Sequence, residues 1–310
     1  MSNWKDIFAH PVGLKLYVMH TGSVHMSGNI HFNKKSPEFK SMPKDKRFNP
    51  VLAYAVVHPG KGLALLDTGV HSSFCDRPFG NFGPLLGRIV KIKAERGRDA
   101  ASQLKSLGFS PPDVRLVILS HLHLDHTSGL PDFKGAEVYV DADELKAAGS
   151  HAAMLEGCAK AHREGATINT FRYGPAVEPF DRVCDFFGDG SLFVVSTPGH
   201  TRGNAAVILN ARGGPILLTF DAAHRKANLD LMIPPKGDYE RARRSLGAIW
   251  CSASICVCNI SRIGNCVRNC RSSARTPVQW CCWITRQVKC WRWPISLRST
   301  LRAMDSRSSW

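Results

Sequence analysis

Within Leu119–Ser128, four residues in six positions can bind a first-row metal: His121, His123, Asp125 and His126. Imidazole nitrogen and carboxylate oxygen suit Zn²⁺, and also Fe, Mn or Co at a mixed site. The cluster follows Val114-Arg-Leu-Val-Ile-Leu119, a short apolar run rich in β-branched residues that reads as a buried strand. Gly129 and Pro131 then break the chain, so the candidate ligands lie on a loop at the carboxyl end of a strand. In an extended segment, His-x-His alternation aims both imidazoles the same way. Asp125 and His126 continue past the turn and can face a second ion. The spacing therefore predicts a metal site for two ions.

The pattern His121-x-His123-x-Asp125-His126 resembles the signature of the metallo-β-lactamase superfamily, and further segments fit. Leu192-Phe-Val-Val-Ser-Thr-Pro-Gly-His200 is a strand ending in a turn where the family places its next histidine. Pro215-Ile-Leu-Leu-Thr-Phe-Asp221 is a strand ending where the family places a bridging carboxylate. Gly62-Leu-Ala-Leu-Leu-Asp67-Thr-Gly69 matches the element common near the family's amino end. The resemblance covers roughly residues 12–246 and is closest to the N-acyl homoserine lactonases. It implies an αββα sandwich of two mixed β-sheets flanked by helices. It makes His121, His123 and His200 ligands of one ion and Asp125 and His126 ligands of the other, with Asp221 bridging. The implied cofactor is a pair of divalent ions, Zn²⁺ foremost.

The implied activity is quorum quenching. A hydroxide held between the ions opens the lactone ring of an N-acyl homoserine lactone, and Asp125 passes a proton to the leaving alkoxide. His224 stands where related lactonases carry a tyrosine that contacts the carbonyl. It either donates the same hydrogen bond or is a spare group behind the ligands. Asp67 reads as a turn-forming aspartate that supports the ligand histidines from behind. Other hydrolases of the superfamily, acting on other lactones, phosphotriesters or β-lactams, share these ligands. A catalytically impaired metal-binding relative is the alternative from outside enzymology, for the following reason.

The family pattern needs one more histidine near the carboxyl end, yet all 13 histidines lie between His10 and His224. Composition also changes sharply near Leu246. Residues 247–310 hold eight of the 11 cysteines, six of the seven tryptophans, ten basic residues and one acidic residue, Asp305. A cysteine-based zinc or disulfide module and a basic, aromatic arm for nucleic acid or membrane are two readings of this tail. A slipped reading frame is the third. It explains the composition break and the absent histidine together, and it is the reading taken here. It makes residues 1–246 a C-terminally incomplete hydrolase domain and residues 247–310 an atypical, poorly ordered tail.

The formal net charge of +16 invites a nucleic-acid reading, but the tail supplies +9 of it. The rest is spread over the core as a solvated face. Only Cys75, Cys158 and Cys184 fall in the core, which suits a reducing cytoplasm rather than a disulfide framework. No apolar run approaches membrane-spanning length. The expected partner is a small lactone, with neither nucleic acid nor membrane, and the pattern allows a homodimer.

The elements that must carry the site alternate as a two-sheet protein requires. Leu14–Met19, Val51–Val57 and Leu63–Leu66 read as strands, with hairpin punctuation at Pro59-Gly60. Arg98–Leu107 reads as an amphipathic helix, Glu137–Val140 as a strand, and Asp141–Ala148 as a helix capped by Asp141. Ala205–Leu209 and Ile216–Phe220 read as strands around the second cluster. Residues 20–50 and 150–180 read as long loops, which over a metal site bind substrate or are ordinary surface excursions.

Overall fold

The computed structural model describes residues 3–27, 46–77, 90–150, 157–223, 241, 245–246 and 256–257. Two sheets face one another. The first has seven strands in the order β4-β1-β2-β3-β5-β6-β7, comprising β1 (Lys15–Ser27), β2 (Lys46–His58), β3 (Gly62–Leu66), β4 (Lys91–Lys93), β5 (Val114–Ile118), β6 (Glu137–Val140) and β7 (Ile168–Thr170). β4, β1, β2 and β3 pair antiparallel, whereas β3, β5, β6 and β7 run parallel. The second sheet has the order β12-β11-β10-β9-β8, comprising β8 (Val183–Asp185), β9 (Leu192–Ser196), β10 (Ala205–Ala211), β11 (Gly214–Leu218) and β12 (Cys256–Val257). It is antiparallel except for the β11–β12 pair. Both sheets are mixed, as expected.

Period-two alternation builds the layers, because successive side chains leave opposite faces of a strand. Leu192 and Val194 of β9 meet Leu66, Ile118 and Val56 of the first sheet in the layer between the sheets. Their neighbours Phe193 and Val195 point the other way, onto Trp4, Phe180 and Ala222. On the outer face of the first sheet, Leu65, Val117 and Val138 pack against Ala100, Ala101 and Leu104 of the helix Ala100–Ser106. Asp99 caps that helix, accepting the Ser102 N–H at 2.8 Å. A helix Ala142–Ala147 follows β6 with Asp141 as its cap, as the sequence predicts.

One expectation fails in part. Residues 20–27 and 46–50 are not a loop but the outer halves of β1 and β2, paired as far as Ser27↔Lys46. The local sequence there is polar and weakly patterned, and pairing with β2 on one side and β4 on the other decides its conformation. Residues 28–45, the centre of the first expected loop, and 151–156, the start of the second, lie outside the described residues, and the second expected loop contains strand β7. Of the expected tail, only Cys256 and Val257 are described, as β12 beside β11.

Candidate metal centre

Every candidate ligand sits just beyond the carboxyl end of a strand. β5 delivers the segment containing His121 and His123, and a single helical turn, Leu124–Thr127, carries Asp125 and His126. β9 runs into the turn holding His200, and β11 into the short 3₁₀ turn Phe220–Ala222 holding Asp221. Cap geometry falls to Thr219, so Asp221 is not a helix cap and its carboxylate is turned toward the histidines. Phe220 has φ +44°, a left-handed conformation unusual for a bulky residue. Such strain persists where packing over-determines it, here in the residue that aims Asp221.

The side chains converge closely. His123 Nδ1 lies 3.1 Å from His121 Nε2 and 3.0 Å from His200 Nε2. Asp221 Oδ2 lies 3.2 Å from His200 Nε2 and 3.9 Å from His121 Nε2. One atom from each of these four residues falls within 4.8 Å of every other. The second oxygen, Asp221 Oδ1, faces His126 Nε2 at 3.6 Å, and Asp125 Oδ2 approaches that nitrogen at 3.8 Å. The six predicted ligands therefore lie together, with the two oxygens of Asp221 turned to different groups. His224 lies outside the described residues.

Hydrogen bonds fix the protonation of the two buried imidazoles of the cluster. Ser120 Oγ donates to Asp67 Oδ2 at 2.8 Å, so the same hydroxyl can only accept from His121 Nδ1, 3.0 Å away. His121 is thus protonated on Nδ1, leaving the Nε2 lone pair facing the cluster. Burial, then the charges of His126, His123 and His200, hold its pKa well below the usual imidazole range. His126 Nδ1 donates to Asp67 Oδ2 at 2.6 Å, which leaves Nε2 to face Asp221 and Asp125. Burial lowers the His126 pKa, but Asp67, Asp221 and Asp125 outweigh it and raise it well above the ordinary value. The electrostatics that favour a proton there also favour a cation. Lone pairs of three imidazoles and a carboxylate aimed at one point repel unless positive charge lies between them. The donor set fits a divalent ion of the zinc type.

Asp67 and Ser120 are the supporting residues. The Asp67 carboxylate is fully buried and also accepts the Ser120 N–H at 2.7 Å. Its φ of +56° is the left-handed region that Asp and Asn tolerate best. The Asp-Thr-Gly motif pointed to Asp67; nothing in the sequence pointed to Ser120, whose part depends on a partner 53 residues away.

Two facing mixed sheets with a His/Asp cluster at their strand ends define an αββα protein built around a metal centre. Residues 47–250 match the family model of the metallo-beta-lactamase superfamily, and the chain belongs to that superfamily. It is 29% identical over 213 residues to N-acyl homoserine lactonase AttM of Azorhizobium caulinodans, covering 68% of this chain and 77% of that protein. It is 33% identical over 183 residues to a probable metallo-hydrolase of Mycobacterium tuberculosis, covering 56% of this chain and 57% of that one. Among solved structures, it resembles an N-acyl homoserine lactone hydrolase with the product N-hexanoyl-L-homoserine bound at its catalytic metal centre. That match has a TM-score of 0.64 at 21% identity over 83% of this chain and 97% of the other, a likeness of fold.

Proposed function

We propose that this chain is a dinuclear metal hydrolase that opens the lactone ring of N-acyl homoserine lactones. The observation that carries the proposal is the Asp221 carboxylate. One oxygen lies against His200 and His121, and the other against His126, as a carboxylate shared by two ions requires. The curated relatives named as lactonases support the choice of substrate. His121, His123 and His200 would hold one ion, Asp125 and His126 the other, with Asp221 common to both. Two divalent ions there, zinc foremost, would supply Lewis acidity, bringing the pKa of water toward neutrality and polarising the ester carbonyl.

The chain's own residues do the rest. Asp67 and Ser120 fix the tautomers that present Nε2 of His126 and His121 inward. Burial lifts the Asp125 carboxyl above the ordinary carboxylate range, with His126 opposing and Asp221 adding. In this reading Asp125 takes a proton from the attacking water and returns it to the alkoxide that leaves when the ring C–O bond breaks. Water and lactone then give one hydroxy acid, with atoms and protons balanced. Residues 1–246 form the hydrolase domain in this reading, and the sequence beyond Leu246 follows from a shifted frame. Among the described residues, Cys75, Cys158 and Cys184 take part in no disulfide, which suits a cytoplasmic setting. Among the described residues, no helix is long and apolar enough to cross a membrane.

The test uses the full chain loaded with zinc and an N-hexanoyl homoserine lactone, with acid release followed in a pH-stat. The expected result is one acid equivalent per lactone, lost on chelation and restored by zinc. A chain that binds two zinc ions and releases no acid would overturn the proposal.

A further inference from the structure

The two halves of the metal centre come from loops far apart in sequence. His121 and His123 leave β5, whereas His200 leaves β9, and the close approach of His123 Nδ1 to His200 Nε2, 3.0 Å, depends on how those loops are held. One side chain reaches both. Glu144, in the first turn of the helix Ala142–Ala147, is 2% exposed. Its Oε1 accepts the N–H of Leu122, the residue between His121 and His123, at 2.9 Å. Its Oε2 accepts the N–H of Gly203, three residues after His200, at 3.0 Å. Both partners are donors, so only a side chain with two acceptor ends satisfies both. A carboxylate is such a group; an amide, with one oxygen and one NH₂, is not.

The helix turn that carries Glu144 is itself anchored. Asp141 Oδ2 accepts from Tyr173 Oη at 2.8 Å and from Arg182 Nη2 at 2.7 Å, while its Oδ1 accepts the Asp143 N–H at 2.7 Å. Gly203 is needed for the approach: a Cβ there would collide with the Glu144 backbone N and lie 2.8 Å from Asp141 Oδ1. The partners of the two Glu144 carboxylate oxygens are these two peptide N–H groups. Asp141-x-x-Glu144 has the spacing of a capping box, in which the glutamate would turn back to the cap residue. Here it turns inward instead.

We propose that Glu144 is a positioning residue for the metal centre: its buried carboxylate, bonded to Leu122 N–H and Gly203 N–H, sets the spacing between the loop of His121 and His123 and the loop of His200. The proposal rests on the metal-centre reading above. Loss of either bond lets the loops separate and loosens the ion that all three histidines hold.

The full-length protein loaded with cobalt(II) tests this, because the visible absorption of cobalt reports its coordination geometry directly. Glu144→Gln keeps one acceptor and should alter the cobalt bands and weaken zinc binding roughly 10-fold, with circular dichroism unchanged; Glu144→Ala should weaken it up to about 100-fold. Val56→Ala, buried in β2 and part of neither loop, serves as a control for simple destabilisation. It should lower the melting temperature and leave bands and affinity intact. Wild-type bands and affinity in a folded Glu144→Gln protein would overturn the proposal. So would equal changes in Val56→Ala. A wild-type chain that takes up no cobalt would overturn the metal-centre reading, and this inference with it.

Discussion

Asp67→Asn is nearly isosteric, yet the hydrogen-bond geometry predicts a specific defect at one ion. The native carboxylate accepts three hydrogen bonds, from Ser120 N at 2.7 Å, Ser120 Oγ at 2.8 Å and His126 Nδ1 at 2.6 Å. An asparagine oxygen can keep the bond from Ser120 N, but its NH₂ then faces the other two groups. His126 relieves the clash of two donors by moving its proton to Nε2, the atom that faces Asp221 and Asp125. Binding an ion at Nε2 requires the proton to return to Nδ1, with two N–H groups opposed in a fully buried site. An unmade buried hydrogen bond costs about 2 kcal/mol, which is roughly a 30-fold loss of affinity. The fold should survive, since Asn also accepts the left-handed backbone at this position. Zinc titration against a chromophoric chelator measures the effect. The expected outcome is one ion weakened roughly 30-fold beside one much less affected. Two ions bound as tightly as in the wild type, with unchanged circular dichroism, would refute the tautomer argument.

Asp221→Asn should fold normally and lose lactone hydrolysis by about two orders of magnitude or more, because a neutral amide seldom bridges two ions; near-normal turnover would show that Asp221 is not shared. Gly69→Ala should destabilise the fold by more than about 2 kcal/mol, since φ is +67° and the new Cβ would lie 2.6 Å from Thr21 Cγ2. Thermal melting checks this, and an unchanged midpoint would contradict it. The pKa of His71 is raised, first by its hydrogen bond to Asp132, against burial, and further by the charges of Asp132 and Asp99. A raised folded-state value means the contact stabilises fully below the unfolded pKa of about 6.5 and loses its effect as pH climbs through the folded value. The gap in melting temperature between wild type and Asp132→Asn should therefore be widest at about pH 5.5 and narrow toward about pH 8. A gap independent of pH would count against it.

The amino-acid sequence by itself determined which candidate ligands the site gathers and the ends of the strands that carry them. His121, His123, Asp125 and His126 are adjacent in sequence, and the apolar runs before them, before His200 and before Asp221 are buried strands β5, β9 and β11. These signals are local: side-chain period, breakers and ligand spacing act over a few residues. Other features are non-local and left no such trace. The outer halves of β1 and β2 are polar, and they are strands because each completes the other's hydrogen-bond ladder, with β4 on the far side of β1. Ser120 acquires its role from Asp67, and Glu144 from Leu122 and Gly203. The spacing Asp141-x-x-Glu144 is satisfied equally by a side chain turned to its own helix or turned inward. Only the packing of β6, β9 and the helix after β6 selects the second, because the inward site offers two buried N–H groups that would otherwise lack an acceptor.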